Sequence, residues 1–126
     1  MNHNEMNNKE ITGFIPKEKY KDILASVPIP CVDVVVVFEN KFLLGKRTNE
    51  PSKGEWFVFG GRVFKGERLV DAAKRKLGEE LGLDVNVDQL EFLTTGETIY
   101  DNSNIDGVSA HTINSVFLLK CDVEPQ

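Results

Sequence analysis

Residues 61–83 constrain the fold of this chain more than any other part of its sequence. The stretch opens on a glycine, and from Leu69 to Leu81 its apolar residues recur at the spacing of one helix face. Gly82 follows directly and is typical of a helix C-terminus. The stretch therefore predicts a glycine loop that leads into a helix over residues 67–81.

Charged side chains are concentrated at the end of this predicted helix. Glu79 lies four residues after Arg75. Glu80 lies four residues after Lys76, so each acid has a cationic neighbour on its own helix face. Adjacent positions on a helix point about 100° apart, so only one of the two acids can face a given centre directly. Carboxylates beside arginines suit a hard divalent cation that carries a phosphorylated ligand.

The spacing G-x5-E-x7-R-x-L-x-E-E-x-G-L in this stretch resembles the signature box of the Nudix hydrolases. One position differs, because Lys76 stands where the box normally has a glutamate. Lys76 is either a plain surface residue or, if it faces the site, a charge that weakens metal binding by repulsion. The residues at the family's positions are Gly61, Glu67, Arg75, Leu77, Glu79, Glu80, Gly82 and Leu83.

The order of predicted helices and strands favours an α+β fold with a mixed β-sheet. The resemblance implies more, namely a Nudix-like α/β/α sandwich with the box helix beside the sheet. We expect a single Nudix domain over residues 11–126, after a flexible polar tail at residues 1–10. The family fold normally closes with a second long helix after the last strand. The sequence ends at Gln126, and we expect this C-terminal helix to be lacking.

Apolar periodicity predicts the other elements. A short amphipathic helix is expected over residues 16–26, and Asp101–Gly107 is expected to be a hairpin loop. The β-branched run Val32–Phe38 predicts a strand buried on both faces. Trp56 is interpreted as a core residue, with a ring that lines the pocket as the alternative. Further strands are predicted at Lys41–Arg47, Trp56–Phe59, Val85–Val87, Leu90–Tyr100 and His111–Val123.

Composition excludes several classes of function. The formal net charge of −5 and the pI near 5.0 argue against a protein that binds nucleic acid by neutralising phosphates. No apolar run is long enough to span a membrane, and no signal peptide is evident, so we expect a cytoplasmic protein. Cys31 and Cys121 lie in apolar runs and are expected to be buried thiols rather than a disulfide.

A second resemblance narrows the expected substrate. Residues 43–49 (LLGKRTN) and 60–62 (GGR) look like one branch of the family, the GDP-mannose mannosyl hydrolases. That branch implies a nucleotide-sugar substrate, attack of water at the anomeric carbon, and departure of GDP as an intact diphosphate. It also suggests a homodimer.

The same resemblance assigns the metal ligands. A divalent ion, Mg²⁺ with Mn²⁺ as the alternative, would be held by Glu80 and the backbone carbonyl of Gly60. Glu79 either contacts this ion or only forms a salt bridge with Arg75. Arg75 itself is counted among the catalytic residues, as a group that orients Glu80.

The remaining site residues are expected to bind the substrate. Arg47 and Arg62 would grip the diphosphate with their forked guanidinium groups, and so also count as catalytic. Asp33, at the start of a buried strand, would approach the sugar. Lys46 and Tyr20 are further candidates for contact with the nucleotide.

The group that activates water is not identified by the sequence. The branch takes its general base, a histidine, from a loop after the last strand, and the present sequence has no residue at that position. His111, Glu79 or Asp101 would substitute only in an altered geometry, and His111 is interpreted as structural. Glu67 is either a site residue or a favourable acid in the first helical turn. Two other functions remain open, a non-catalytic nucleotide-diphosphate binder and a hydrolase that directs water to phosphorus.

Overall fold

The computed structural model describes residues 13–48, 53–103, 105 and 107–122. The tail predicted at residues 1–10 lies outside the described residues. The helices are α1 (Lys17–Ser26) and α2 (Leu69–Leu81), with a 3₁₀ turn at Val87–Gln89. The strands are β1 (Ile29–Phe38), β2 (Lys41–Leu43), β3 (Gly45–Lys46), β4 (Trp56–Phe57), β5 (Phe59–Arg62), β6 (Leu90–Tyr100) and β7 (Ala110–Cys121).

Strand β1 is the centre of a five-stranded mixed sheet. Along one edge it pairs in parallel with β7, and β6 pairs antiparallel with the far side of β7. Along its other edge β1 pairs antiparallel with β5 in its first half and with β2 in its second half. Strands β3 and β4 form a separate two-stranded ribbon. The predicted α+β fold with a mixed sheet is confirmed.

Helix α2 packs on one face of this sheet. Val32, Val34 and Val36 alternate along β1, so they point to the same face, and each is fully buried. Ala72 and Leu77 of α2 are also fully buried in the same core cluster. The prediction that this strand is buried on both faces is only half right. The alternate positions, which include Asp33, are half-buried.

A second apolar cluster covers the opposite face at the start of β1. Leu24 of α1 packs there with Ile29, and the loop between β6 and β7 contributes Ile105 and Val108. The hairpin connection predicted at Asp101–Gly107 is confirmed, but it is not merely polar, because it carries buried apolar side chains. Helix α1 and this loop therefore form a layer across the sheet from α2.

Two predicted strands are broken. The run Lys41–Arg47 divides at Leu44 into β2 and β3, and the run Trp56–Phe59 divides at Val58 into β4 and β5. The cause is a change of partner, because β2 and β5 pair with β1 whereas β3 and β4 pair with each other. Trp56 lies in the projecting ribbon and is 64% exposed, so its interpretation as core is wrong.

The short strand predicted at Val85–Val87 is also wrong. The Asn86 side chain accepts a hydrogen bond from the Asp88 backbone N–H, and the Gln89 side chain accepts one from the Asn86 N–H. This reciprocal capping stabilises a 3₁₀ turn at Val87–Gln89 in place of extended backbone.

The box helix ends as its sequence predicts. Gly82 adopts a left-handed conformation, with φ of 65°, and its N–H bonds to the carbonyl of Gly78. The helix starts at Leu69, two residues later than predicted. Cys31 and Cys121 are free thiols and are half-buried, so the expectation that both are buried is only partly right. Within the described ranges, no helix is long and apolar enough to cross a membrane.

Candidate active site

The two glycines at the start of the box lie in a strand, not in the predicted loop. Gly60 pairs with Asp33 and Gly61 pairs with Val32, as part of β5. A Cβ atom on Gly60 would overlap the Val32 carbonyl oxygen and the Asp33 carboxylate. Glycine is therefore required at position 60, because the β5 backbone lies directly against the Asp33 side chain.

Two adjoining cavities flank β5. Their volumes are about 330 Å³ and 320 Å³. We call the larger one the tyrosine cavity, since Tyr20 and Tyr100 line it, and the smaller one the lysine cavity, since Lys46 and Lys76 line it. Both are lined by Arg47, Phe57, Val58, Gly60 and Gly61.

A carboxylate and an amide meet in the tyrosine cavity. Asn114 of β7 donates a hydrogen bond from its side-chain amide to the Asp33 carboxylate at 2.9 Å. Burial raises the pKa of Asp33, while the Asn114 hydrogen bond and the charge of Arg47 oppose that rise. Asp33 was expected at the start of the buried strand, but it is the fifth residue of β1, which begins at Ile29. The sequence did not single out Asn114, because the two residues are 81 positions apart and meet only through the parallel β1–β7 pairing.

Burial also changes the acidity of two other side chains in the tyrosine cavity. Burial raises the pKa of the Tyr20 phenol, and raises that of the Cys31 thiol to about 11. A thiol with such a pKa stays protonated at neutral pH, so Cys31 is not suited to act as a nucleophile.

Arg62 lines the tyrosine cavity, but its guanidinium already has partners. It donates a hydrogen bond to the Gly13 carbonyl at 2.6 Å. It also lies over two aromatic rings, 5.7 Å from the centroid of Tyr20 and 5.1 Å from that of Phe64. These contacts hold Arg62 at the cavity wall, and its role in gripping a diphosphate stays a prediction.

Arg75 and Glu67 form a buried clamp under the box helix. The Arg75 guanidinium donates to both Glu67 carboxylate oxygens at 2.8 and 3.1 Å, and to the Arg62 carbonyl at 2.9 Å. Glu67 is only 5% exposed and also accepts the Phe64 backbone N–H at 3.0 Å. The Phe64 ring lies 3.6 Å beneath the Arg75 guanidinium.

The expectation that Arg75 orients Glu80 is wrong, because Arg75 does not bond to Glu80. Its remaining hydrogen bond goes to Glu79, at 2.7 Å. Neither Arg75 nor Glu67 lines the tyrosine or the lysine cavity. The clamp connects the strand that carries Arg62 to the helix that carries Glu79, so the structure favours a positioning role for both of its members.

The lysine cavity brings Glu80 beside Lys76. The Lys76 ammonium lies 3.1 Å from Glu80 and 3.5 Å from Glu79. The Lys76 side chain is 15% exposed, whereas both glutamates are nearly half exposed. Lys76 therefore faces the site and is not a plain surface residue. Lys46 of β3 and Arg47, which follows that strand, line the same cavity.

The side chains as arranged do not form a ready divalent-metal site. Among the residues that the structure describes, no group of three or more His, Cys, Asp or Glu could hold a metal ion. Glu80 and Gly60 line the same cavity, and their oxygen donors are the type that Mg²⁺ prefers. However, the Lys76 ammonium lies within ion-pair distance of both Glu79 and Glu80. In the arrangement that the structure shows, Glu80 is therefore already paired with a cation.

Two alternative candidates for a general base, His111 and Asp101, lie outside both cavities. His111 Nε2 lies 2.9 Å from a Glu97 carboxylate oxygen on the neighbouring strand. His111 and the exposed Asp101 line neither cavity. The structure therefore places His111 in a cross-strand pair, in agreement with its interpretation as a structural residue.

Substitution of Gly60 by alanine is expected to destabilise the protein by roughly 2 kcal/mol, because the new methyl group meets backbone atoms of β1. The matched control is Gly61→Ala, whose methyl group meets only the flexible end of Lys76, at 3.0 Å or more. Urea unfolding followed by circular dichroism measures both. Equal loss of stability in the two variants would contradict the close approach of β5 to Asp33.

These elements define an α+β domain in which strand β5 lies between two adjoining cavities and helix α2 lines one of them. The family model described as the NUDIX domain matches residues 27–126. The chain belongs to the Nudix family.

The chain is similar to known proteins whose names refer to different activities. It is 45% identical over 112 residues to the low-salt glycan biosynthesis protein Agl8 of Haloferax volcanii, with 88% of this chain and 70% of that protein covered. It is 36% identical over 92 residues to an ADP-ribose pyrophosphatase of Methanocaldococcus jannaschii, with 73% and 50% covered. The chain therefore spans only half the length of this second relative.

Solved structures share the fold. A MutT NUDIX hydrolase from Burkholderia pseudomallei superimposes with a TM-score of 0.66 at 25% identity, over 80% of this chain and 74% of that one. The predicted Nudix-like sandwich is thereby confirmed.

Proposed function

We propose that the protein hydrolyses a nucleoside diphosphate sugar, with GDP-mannose as the favoured substrate and GDP and mannose as products. The observation that carries this proposal is the position of Arg47, which lines both cavities at their junction. A diphosphate held there would extend toward groups of different chemistry on either side. Such a division suits a ligand that joins an uncharged part to a diphosphate.

The tyrosine cavity fits the neutral part of such a ligand. Tyr20 and Tyr100 offer aromatic surface, and the Asp33–Asn114 pair offers an acceptor and a donor for hydroxyl or base edges. Because Asp33 is partly removed from solvent, a polar ligand group left without a partner there would be penalised, which gives selectivity. Asp33 and Tyr20 therefore stay candidates for contact with the sugar or base.

The lysine cavity fits the diphosphate. Arg47 would grip phosphate oxygens in a forked geometry, and Lys46 would supply a second positive charge. Glu80 and the Gly60 carbonyl, with Glu79 as a further ligand, would hold Mg²⁺ or Mn²⁺ once Lys76 has moved. A bound ion would neutralise charge on the departing diphosphate.

The relatives support hydrolysis of a nucleotide derivative but differ in their descriptions. The name of the Haloferax volcanii relative refers to glycan biosynthesis, and glycans are assembled from activated sugars. The Methanocaldococcus jannaschii relative is described as an ADP-ribose pyrophosphatase, which favours a second candidate, attack of water at phosphorus. A homodimer, expected from the branch resemblance, stays a prediction.

Incubation with Mg²⁺ and ¹⁸O-labelled water distinguishes the two reactions. We expect GDP-mannose to give label in mannose, which mass spectrometry of the separated products detects. ADP-ribose serves as the comparison substrate. Label in a phosphate product would establish attack at phosphorus instead. Binding of GDP without turnover of either compound would make the protein a non-catalytic nucleotide-diphosphate binder.

A further inference from the structure

Lys76 is placed so that its charge is shared by two of the box glutamates, Glu79 and Glu80. On helix α2 it lies three residues before Glu79 and four before Glu80, so all three side chains are on neighbouring positions of the helix surface. Its ammonium is 3.5 Å from Glu79 and 3.1 Å from Glu80. A cation thus already lies next to both carboxylates.

The neighbouring strand leaves room for the Lys76 stem. A Cβ atom on Gly61 would lie only 3.0 Å from Lys76 Cε and 3.3 Å from Nζ. Because glycine has no side chain, the stem can lie against β5, and it is largely shielded from solvent with 15% of the side chain exposed. This packing holds the ammonium toward Glu80 instead of leaving it in bulk water.

We propose that Lys76 is a built-in cation that competes with divalent metal ions for Glu79 and Glu80. An incoming ion must displace the ammonium, since two cations next to one carboxylate repel each other. The residue at position 76 therefore sets the affinity of the site for divalent ions. The inference rests on the proposed function only in taking the box glutamates as metal ligands.

The competition predicts tighter metal binding when the ammonium is removed. Lys76→Met keeps an unbranched apolar stem for packing against Gly61 and lacks the charge. We expect its affinity for Mn²⁺ to exceed that of the unaltered protein by about tenfold, as removal of one nearby positive charge implies. Electron paramagnetic resonance of free Mn²⁺, titrated into the full chain without nucleotide, measures this. Lys76→Glu is expected to bind Mn²⁺ more tightly still, because it adds a carboxylate ligand.

The matched control is Lys74→Gln. Lys74 lies on the same helix, 3.8 Å from Asp84, and lines neither cavity, yet the substitution changes net charge by the same amount. We expect its Mn²⁺ affinity to change by less than about twofold, as screening of a distant surface charge implies. Circular dichroism of each variant verifies folding.

The other outcomes overturn the proposal. Equal tightening in the Lys76→Met and Lys74→Gln variants would assign the effect to net charge. Unchanged affinity in Lys76→Met and Lys76→Glu, or no Mn²⁺ binding in any variant, would show that Lys76 does not compete with a metal. Because the measurement uses metal alone, failure to hydrolyse GDP-mannose leaves its result intact and tests only the proposed function.

Discussion

Replacement of Glu80 by glutamine is expected to lower Mg²⁺-dependent turnover by a factor on the order of 10², from the loss of charge stabilisation. Glu80 lines the lysine cavity together with Gly60, and in the proposed function it is the main carboxylate that faces the ion and the diphosphate. Glutamine keeps the shape of the side chain and removes its negative charge. Steady-state kinetics over a range of Mg²⁺ concentrations measures the effect on kcat and on the metal requirement.

Two further variants make this result specific. Asp71→Asn removes the same charge from an exposed position in the first turn of α2 and is expected to leave turnover unchanged. Glu79→Gln is expected to have a smaller effect than Glu80→Gln, because Glu79 is bonded to Arg75 and lines neither cavity. Unchanged activity in the Glu80→Gln variant would remove this carboxylate from the mechanism.

Sequence periodicity predicted the helix and the strands that bury an apolar face in the core. Strand β1 and helix α2 were predicted because their apolar residues mark the faces that meet in the core. The ribbon of β3 and β4 was missed, since its formation depends on which strand β1 selects as its neighbour. The residues around Leu44 and Val58 give no local sign of this change of pairing partner. The predicted strands therefore continued through both breaks.

The candidate site was predictable to the extent that its residues share one element. Lys76 and Glu80 are four apart on a helix, and their contact follows from that spacing alone. The contact of Asp33 with Asn114 needed the parallel pairing of two strands from opposite ends of the chain. The bonds of Arg75 to Glu67 could not be derived either, because Glu67 precedes the first residue of α2 and its direction is set by the turn around Phe64.

The clamp between Arg75 and Glu67 carries the second large prediction. Glu67→Ala is expected to reduce the free energy of unfolding by about 2 kcal/mol, because it leaves partly buried donors of Arg75 and Phe64 without their acceptor, although Arg75 keeps its ion pair with Glu79. Glu67 is 5% exposed and holds both Arg75 and the Phe64 N–H, so three bonds are lost together. Urea unfolding at neutral pH, followed by circular dichroism, measures the change.

Glu79→Ala is the matched control for this second prediction. It removes the other carboxylate bound to the same guanidinium, but Glu79 is 48% exposed, so a loss below about 1 kcal/mol is expected. If the two variants lose equal stability, burial of Glu67 is not what makes the clamp strong. If only Glu67→Ala is destabilised, Glu67 fixes the strand that carries Arg62 against helix α2 without facing the cavities. The spacing of the box motif alone then does not tell which of its acids faces the ligand, because Glu67 holds the scaffold and Glu80 lines the lysine cavity.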